Sequence, residues 1–168
     1  MLADSGFESG TPNSYWTDYS ATFGTSICSS AICDSDDGTA FAHSGTYWVW
    51  FGGAVEGDEA YVSQSVIIPA DAGGKLSFWI MNGACGDGGA SSYTRLLVDE
   101  TELWRTDGSD STCGTTQYRQ VEIDLAAFAD NAAHTIKFDN KIIGEGNFSL
   151  DDVYLYGGHL IYLPLVSK

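Results

Sequence analysis

One eight-residue stretch, SLDDVYLY from Ser149 to Tyr156, constrains the fold more than any other part of the chain. Strict alternation places Ser149, Asp151, Val153 and Leu155 on one side. Leu150, Asp152, Tyr154 and Tyr156 fall on the other, the period of a strand. Two adjacent carboxylates interrupt this otherwise apolar strand, which is costly unless a cation or hydrogen-bond donors compensate them. Far away in sequence, SGFESG sets Glu8 beside Phe7 between two glycines. A fold in which the two ends of the chain meet answers both features, with Glu8 and Asp151 sharing a calcium ion, because hard cations take several clustered oxygens. An alternative stays open, in which Asp151 and Asp152 cap a turn at an exposed strand end.

The remaining chain reads as short strands separated by Gly, Asp, Asn and Ser clusters. They are Thr46–Phe51, Ala60–Ile68, Lys75–Met81, Tyr93–Asp99, Thr101–Arg105, Arg119–Leu125, His134–Asn140 and Phe148–Tyr156, after an irregular aromatic segment from Tyr15 to Phe23. Only Leu125–Asn131 resembles a helical turn. Many short strands at this spacing predict an all-β protein, an antiparallel jelly-roll β-sandwich. Leu76, Phe78, Ile80, Val121, Ile123, Leu125, Ile136 and Phe138 belong to the core by alternation. Tyr47, Val49 and Phe51 face inward as well, leaving Trp48 and Trp50 on the opposite face.

At 168 residues and 43% apolar content, the chain has enough to bury one real core. Seven basic residues stand against 23 acidic ones, a net charge of −16. Nucleic acid and anionic membranes are poor partners for such a chain, since either needs a basic footprint. There is no run of about 18 apolar residues, hence no expected helical membrane span. No leader is visible at Met1-Leu2, so the chain reads as a mature one. Four cysteines in loop-like segments allow three pairings; Cys28 with Cys33 and Cys85 with Cys113 is the favoured set. Free thiols and a zinc site are the competing readings, the latter weakened by the absence of CxxC and of a nearby His. Disulfides imply a secreted or cell-surface protein.

Four segments occur in a telling order: GFESGTPNSYW, AHSGTYWVWFGG, VSQSVIIPADAGGKLSFWI and SLDDVYLY. Together they resemble the extracellular jelly-roll modules that carry calcium, both the carbohydrate-binding modules of polysaccharide-degrading enzymes and the MAM-like cleaved-adhesin modules of bacterial surface proteases. The resemblance spans roughly residues 5 to 156. It implies a structural calcium where the first strand meets the last, held by the side chains of Glu8 and Asp151 and by backbone oxygens near Gly6 and Ser44. Asp4 is a further candidate ligand. The fold likeness says little about function, because one sandwich hosts many ligands.

Trp48, Trp50 and Trp79 are candidates for an aromatic sugar platform, with Arg95, Gln64 and Asp99 as polar neighbours. The alternative is that loops or another chain cover them. His43, His134 and His159 share no motif, and no catalytic signature is present, so the protein is read as non-catalytic. Asp36-Asp37 and Asp58-Glu59 are candidates for a second calcium or for solvated loops. After residues 1–157, the sequence turns at Gly157-Gly158 into an apolar extension, 158–168. This extension either folds back on its own sandwich or, the favoured reading, uses Leu160, Ile161, Tyr162, Leu163, Leu165 and Val166 as an assembly strand that inserts into the next copy. The leading functional expectation is therefore a non-catalytic surface or adhesion protein that self-assembles, into extracellular filaments or a smaller homo-oligomer, stabilised by calcium. A carbohydrate-binding module with polysaccharide as its partner is the alternative; an accessory domain of a secreted enzyme is third.

Overall fold

Period-2 patterning builds ten strands in the computed structural model, which describes residues 2–33, 38–70 and 74–157. In chain order they are β1 (Thr17–Ser20), β2 (Ile27–Ser29), β3 (Tyr47–Gly52), β4 (Gly57–Ile67), β5 (Lys75–Cys85), β6 (Tyr93–Val98), β7 (Thr101–Asp107), β8 (Arg119–Asp124), β9 (Ala133–Ile143) and β10 (Gly146–Tyr156). A single helical turn, α1 (Ser30–Cys33), follows β2, and the segment expected to be helical contracts to one 3-10 turn at Ala126–Phe128. The strands form two antiparallel sheets of five: β1-β4-β9-β6-β7, called sheet I, and β2-β3-β10-β5-β8, called sheet II. This is the sandwich the alternation predicts. Among the described residues no helix is long and apolar enough to cross a membrane.

The inner faces meet in one core. Val62, Leu96, Ile136 and Phe138 from sheet I face Val49, Phe51, Leu76, Phe78, Ile80, Phe148 and Leu150 from sheet II, all buried. Phe78 bridges the layers edge-to-face, its ring 4.9 Å from Phe138 and 5.0 Å from Trp104. The inward assignments of Leu76, Phe78, Ile80, Leu125, Ile136 and Phe138 hold, while Val121 and Ile123 on edge strand β8 are only partly buried.

β10 departs from the simple alternation. Its register against β5 shifts between Asp151 and Tyr154, and Asp152 takes a positive φ of 50°. The bulge resolves a conflict in the sequence: Leu150 and Val153 both enter the core, and Asp151 and Asp152 both point out of it. An uninterrupted strand would have put Val153 on the side of Asp151.

The four cysteines form Cys28–Cys33, which closes over α1, and Cys85–Cys113, which ties the end of β5 to the loop after β7; their Cα atoms are 5.9 and 5.8 Å apart. Asp36-Asp37 and the assembly residues Leu160, Ile161, Tyr162, Leu163, Leu165 and Val166 lie outside the described residues.

At the start of β9, His134 is wedged between two carboxylates. Its Nδ1 lies 2.6 Å from Asp99 Oδ2 and its Nε2 2.9 Å from Asp130 Oδ1. Both ring nitrogens can donate only in the imidazolium form. The bonds to Asp130 and then Asp99 accordingly raise the pKa of His134, and both aspartates are held below the usual carboxylate range. For a group with a raised folded pKa, the stabilisation is fully present below the unfolded value near 6.5 and is lost as pH rises through the folded one. The aspartates remove it again in strong acid. His134→Gln should therefore lower the melting temperature most near pH 5–6, with the gap to wild type narrowing towards pH 9; a gap independent of pH would contradict this.

Candidate functional site

The outer face of sheet II is roofed over its central part by the chain's own residues. The segment from Gly38 to Thr46 is anchored by Tyr118, whose hydroxyl donates to Phe41 O (2.6 Å), and by Asn147 Nδ2, 3.2 Å from Thr39 Oγ1. Gly83 lies directly beneath Thr39, where an added Cβ would strike the Thr39 carbonyl. The His43 ring stacks on Trp79 at 4.1 Å and meets Tyr118 edge-on at 5.1 Å. Burial, reinforced by the nearby Asp151 charge, raises the Tyr118 pKa and keeps the phenol protonated as a donor.

This roof corrects the tryptophan platform. Register does put Trp48, Trp50 and Trp79 on the outer face of sheet II, as alternation predicts. Trp48, however, is 0% exposed, Trp79 lies under His43, and Trp50 borders a separate groove near β2. Alternation reports which side of a strand a ring occupies, not whether a loop covers it. The polar neighbours are elsewhere as well. Gln64 bonds both backbone groups of Ala3, Asp99 holds His134, and Arg95 lies on sheet I.

At the rim of the roof, Glu8, Gly6, Ser44 and Asp151 come together. Asp151 Oδ2 accepts from His43 N (2.9 Å) and Ser44 N (3.0 Å), and Oδ1 accepts from Asp152 N (2.7 Å). Glu8 Oε1 accepts from Thr46 N and Tyr47 N, both at 2.9 Å. Gly6 sits between them, its added Cβ falling 3.7 Å from Glu8 Cγ and 3.9 Å from Asp151 Oδ1. Val153 N donates to Ser5 O (2.8 Å), so the N-terminal segment is laced directly to β10. Two further side chains join: Asp152 takes His43 Nδ1 at 2.6 Å and Ser44 Oγ at 3.0 Å. His43 carried no motif in the sequence, and its part here depends on the roof.

Asp151 is 0% exposed, so it does not cap a turn at an exposed strand end. Burial pushes its pKa up to about 7, against the pull of the Ser44, Asp152 and His43 amides. Among the described residues no Lys or Arg pairs with Glu8, Asp151 or Asp152. No three His, Cys, Asp or Glu side chains among them are grouped closely enough to hold a metal by themselves. An ion at this point would therefore draw on backbone carbonyls and water beside the two carboxylates, a donor set that suits a hard cation. Asp4 is occupied otherwise, accepting from Asn13 Nδ2 at 2.7 Å and from Ser9 N. At the other acidic pair, Asp58 accepts from Ser20 Oγ and Thr22 N, and Glu59 pairs with Lys141.

Sheet I, by contrast, leaves its outer face open. Register aligns Tyr19, Tyr61, Asp139, Arg95 and Arg105 in one row across all five strands, beside a second row of Glu59, Lys141, Tyr93 and Asp107. Tyr19, 44% exposed, stacks on Tyr61 at 5.6 Å and 28°. Lys137 Nζ lies 4.8 Å from the Tyr61 ring, and the guanidiniums of Arg105 and Arg95 lie 4.2 and 5.1 Å from Tyr93. Arg95 pairs with Asp139 (2.8 Å), Lys141 with Glu59 (2.7 Å) and Arg105 with Asp107 (3.3 Å). Four of the chain's seven basic residues thus share this face, each matched by an acid. A concavity of about 200 Å³ runs between the three tyrosines. The signal in the sequence was thin: Tyr19, Tyr61 and Tyr93 are isolated residues on three strands, adjacent only through the strand order.

No family model and no curated protein matches the chain. Its fold does match solved structures. The carbohydrate-binding module TmCBM61, in complex with β-1,4-galactotriose, is 21% identical with a TM-score of 0.65, over 93% of this chain and 97% of that one. The K1 cleaved adhesin domain of Lys-gingipain from Porphyromonas gingivalis W83 is 17% identical with a TM-score of 0.57, over 92% and 96%. A family 16 carbohydrate-binding module is 16% identical with a TM-score of 0.53, over 92% and 97%. The neighbours agree with the fold expected from the four sequence segments.

The raised pKa of Asp151 has a measurable consequence. Between about pH 4 and pH 7 the folded state holds a proton that the unfolded state has released, so stability falls as pH rises through this window. In chelator, Asp151→Asn should remove that part of the slope of melting temperature against pH, whatever the variant's absolute stability. An unchanged slope would show that Asp151 is not buried as described.

Proposed function

We propose that the chain is a non-catalytic, extracellular glycan-binding module that grips its ligand on the open face of sheet I. The observation that carries this reading is the cross-strand row of Tyr19 and Tyr61 running into Asp139, Arg95 and Arg105. Tyrosine rings offer apolar faces to the C–H side of a sugar, and fixed charged groups beside them form strong bonds to hydroxyls. Matched charges on the face and a net charge of −16 favour a neutral polysaccharide over an anionic one. The carbohydrate-binding neighbours support the reading at the level of fold, and two disulfides suit an oxidising compartment. Tyr19→Ala and Tyr93→Ala should each weaken retention on a bound neutral polysaccharide at least tenfold, about 1.4 kcal/mol. Tyr154→Ala, on the other sheet, should leave it unchanged. Equal retention by all three would sink the proposal.

Calcium belongs to the same proposal. Glu8 and Asp151 would supply carboxylate oxygens, and the backbone near Gly6 and Ser44 the carbonyls. The ion's contribution would be structural: it offsets the burial of Asp151 and fastens the N-terminal segment to β10. Chelator should then lower the melting temperature by several degrees, and Glu8→Gln should abolish most of the response. An identical melt with and without calcium would refute it.

A second reading, self-association through the segment Leu160–Val166, is favoured by one feature of the folded domain. Beside β2 lies an exposed apolar groove that none of the contacts above uses.

A further inference from the structure

That groove has a volume of about 360 Å³ and is lined by Phe23, Ile32, Trp50, Gly52, Gly53 and the Cys28–Cys33 disulfide, among others. Phe23 is 56% exposed, and Ile32, at 84%, is more exposed than any other large apolar side chain among the described residues. A cavity of about 150 Å³ accommodates one benzene, so the groove has room for roughly two ring-sized groups. Apolar surface of this kind, set beside an edge strand of a strongly acidic protein, is what a partner segment would cover.

We propose that the groove receives the segment Leu160–Val166 of a second copy of this chain. The inference rests on the self-association reading and adds the receptor that reading lacks. Chemistry fits first: the segment LIYLPLV has no charged side chain, like the groove. Pro164 fits second. With no N–H to donate, it interrupts a continuous ladder, but it does not hinder side chains from seating in an apolar cleft.

Reach then favours a second copy over the same one. β10 runs away from the groove: Trp50 is paired with Ser149, whereas Tyr156 is paired with Lys75. Returning from Tyr156 to the row of Ser149 covers about 23 Å along the strand, and crossing from β10 over β3 to β2 adds about 10 Å, roughly 25 Å in all. Leu160 stands four residues past Tyr156 and can reach at most about 14 Å; Tyr162 can reach about 22 Å. Within one copy, Leu160, Ile161 and Tyr162 are therefore spent on the return path, outside the groove. From a neighbouring copy the whole segment is available. Because groove and segment are different surfaces, the contact is head-to-tail and continues into open chains or rings.

The test is sedimentation velocity of the full chain in calcium, over a concentration series, with Ile32→Asp in the groove and Leu163→Asp in the segment. Both sites are absent from the core and from the tyrosine face, and the melting temperatures of the variants check that each is folded. Wild type should form species larger than dimers, and each variant alone should sediment as a monomer. An equimolar mixture of the two should form dimers and nothing larger, because it contains one intact groove and one intact segment per pair. If Leu163→Asp is monomeric but Ile32→Asp associates like wild type, the groove is overturned while self-association stands. If wild type itself remains monomeric at every concentration, both fall.

Discussion

The burial of Asp151 on β10 is the constraint from which most of the molecule's arrangement follows. A carboxylate with no exposed surface must be surrounded by donors, and β10, at the centre of sheet II, supplies one of them, the Asp152 amide at the bulge. The other two come from outside the sheet, from the amides of His43 and Ser44. Those amides require the segment from Gly38 to Thr46 to cross the face of the sheet. Once there, it places His43 over Trp79. Glu8 does the same for the N-terminal segment by capping the Thr46 and Tyr47 amides. One costly group thus ties three distant parts of the chain together.

The roof has a functional corollary. It covers the central part of the outer face of sheet II, around Trp79, and leaves the outer face of sheet I open. The open face is built differently. Its side chains are held by cross-strand register and by pairing with one another, without a covering loop. Rigid strands and mutually braced side chains cost little ordering entropy on binding, which would suit the proposed engagement of a long, flat ligand. The apolar groove beside β2 lies apart from that face, at the edge of sheet II. Ligand binding and association between copies would consequently use separate surfaces.

Legibility differed among these features for physical reasons. The core positions of β5 and β9 follow directly from alternation, since a strand with one buried side must repeat every two residues. Cys28–Cys33 and Cys85–Cys113 were favoured by spacing and loop context and are the pairs formed. The meeting of Glu8 with Asp151 could be anticipated because two isolated acidic residues, each beside apolar sequence, needed a common answer. The bulge at Asp152 could not, because a register shift depends on the partner strand as much as on the strand itself. Alternation puts Trp48 on the correct face of its strand, yet the ring is fully buried, and nothing in YWVWF encodes that.

By itself, then, the sequence determined the fold class, most of the inward residues and the need to satisfy carboxylates on the last strand, and it favoured one disulfide set. All of these are local or pairwise demands carried by residue type and period. Only the tertiary structure decided which aromatic residues are available to a ligand. Tyr19, Tyr61 and Tyr93 lie on strands far apart in sequence and become neighbours solely because β1, β4, β9 and β6 are adjacent in one sheet. Strand order is set by the packing of the whole chain, and no window of sequence contains it.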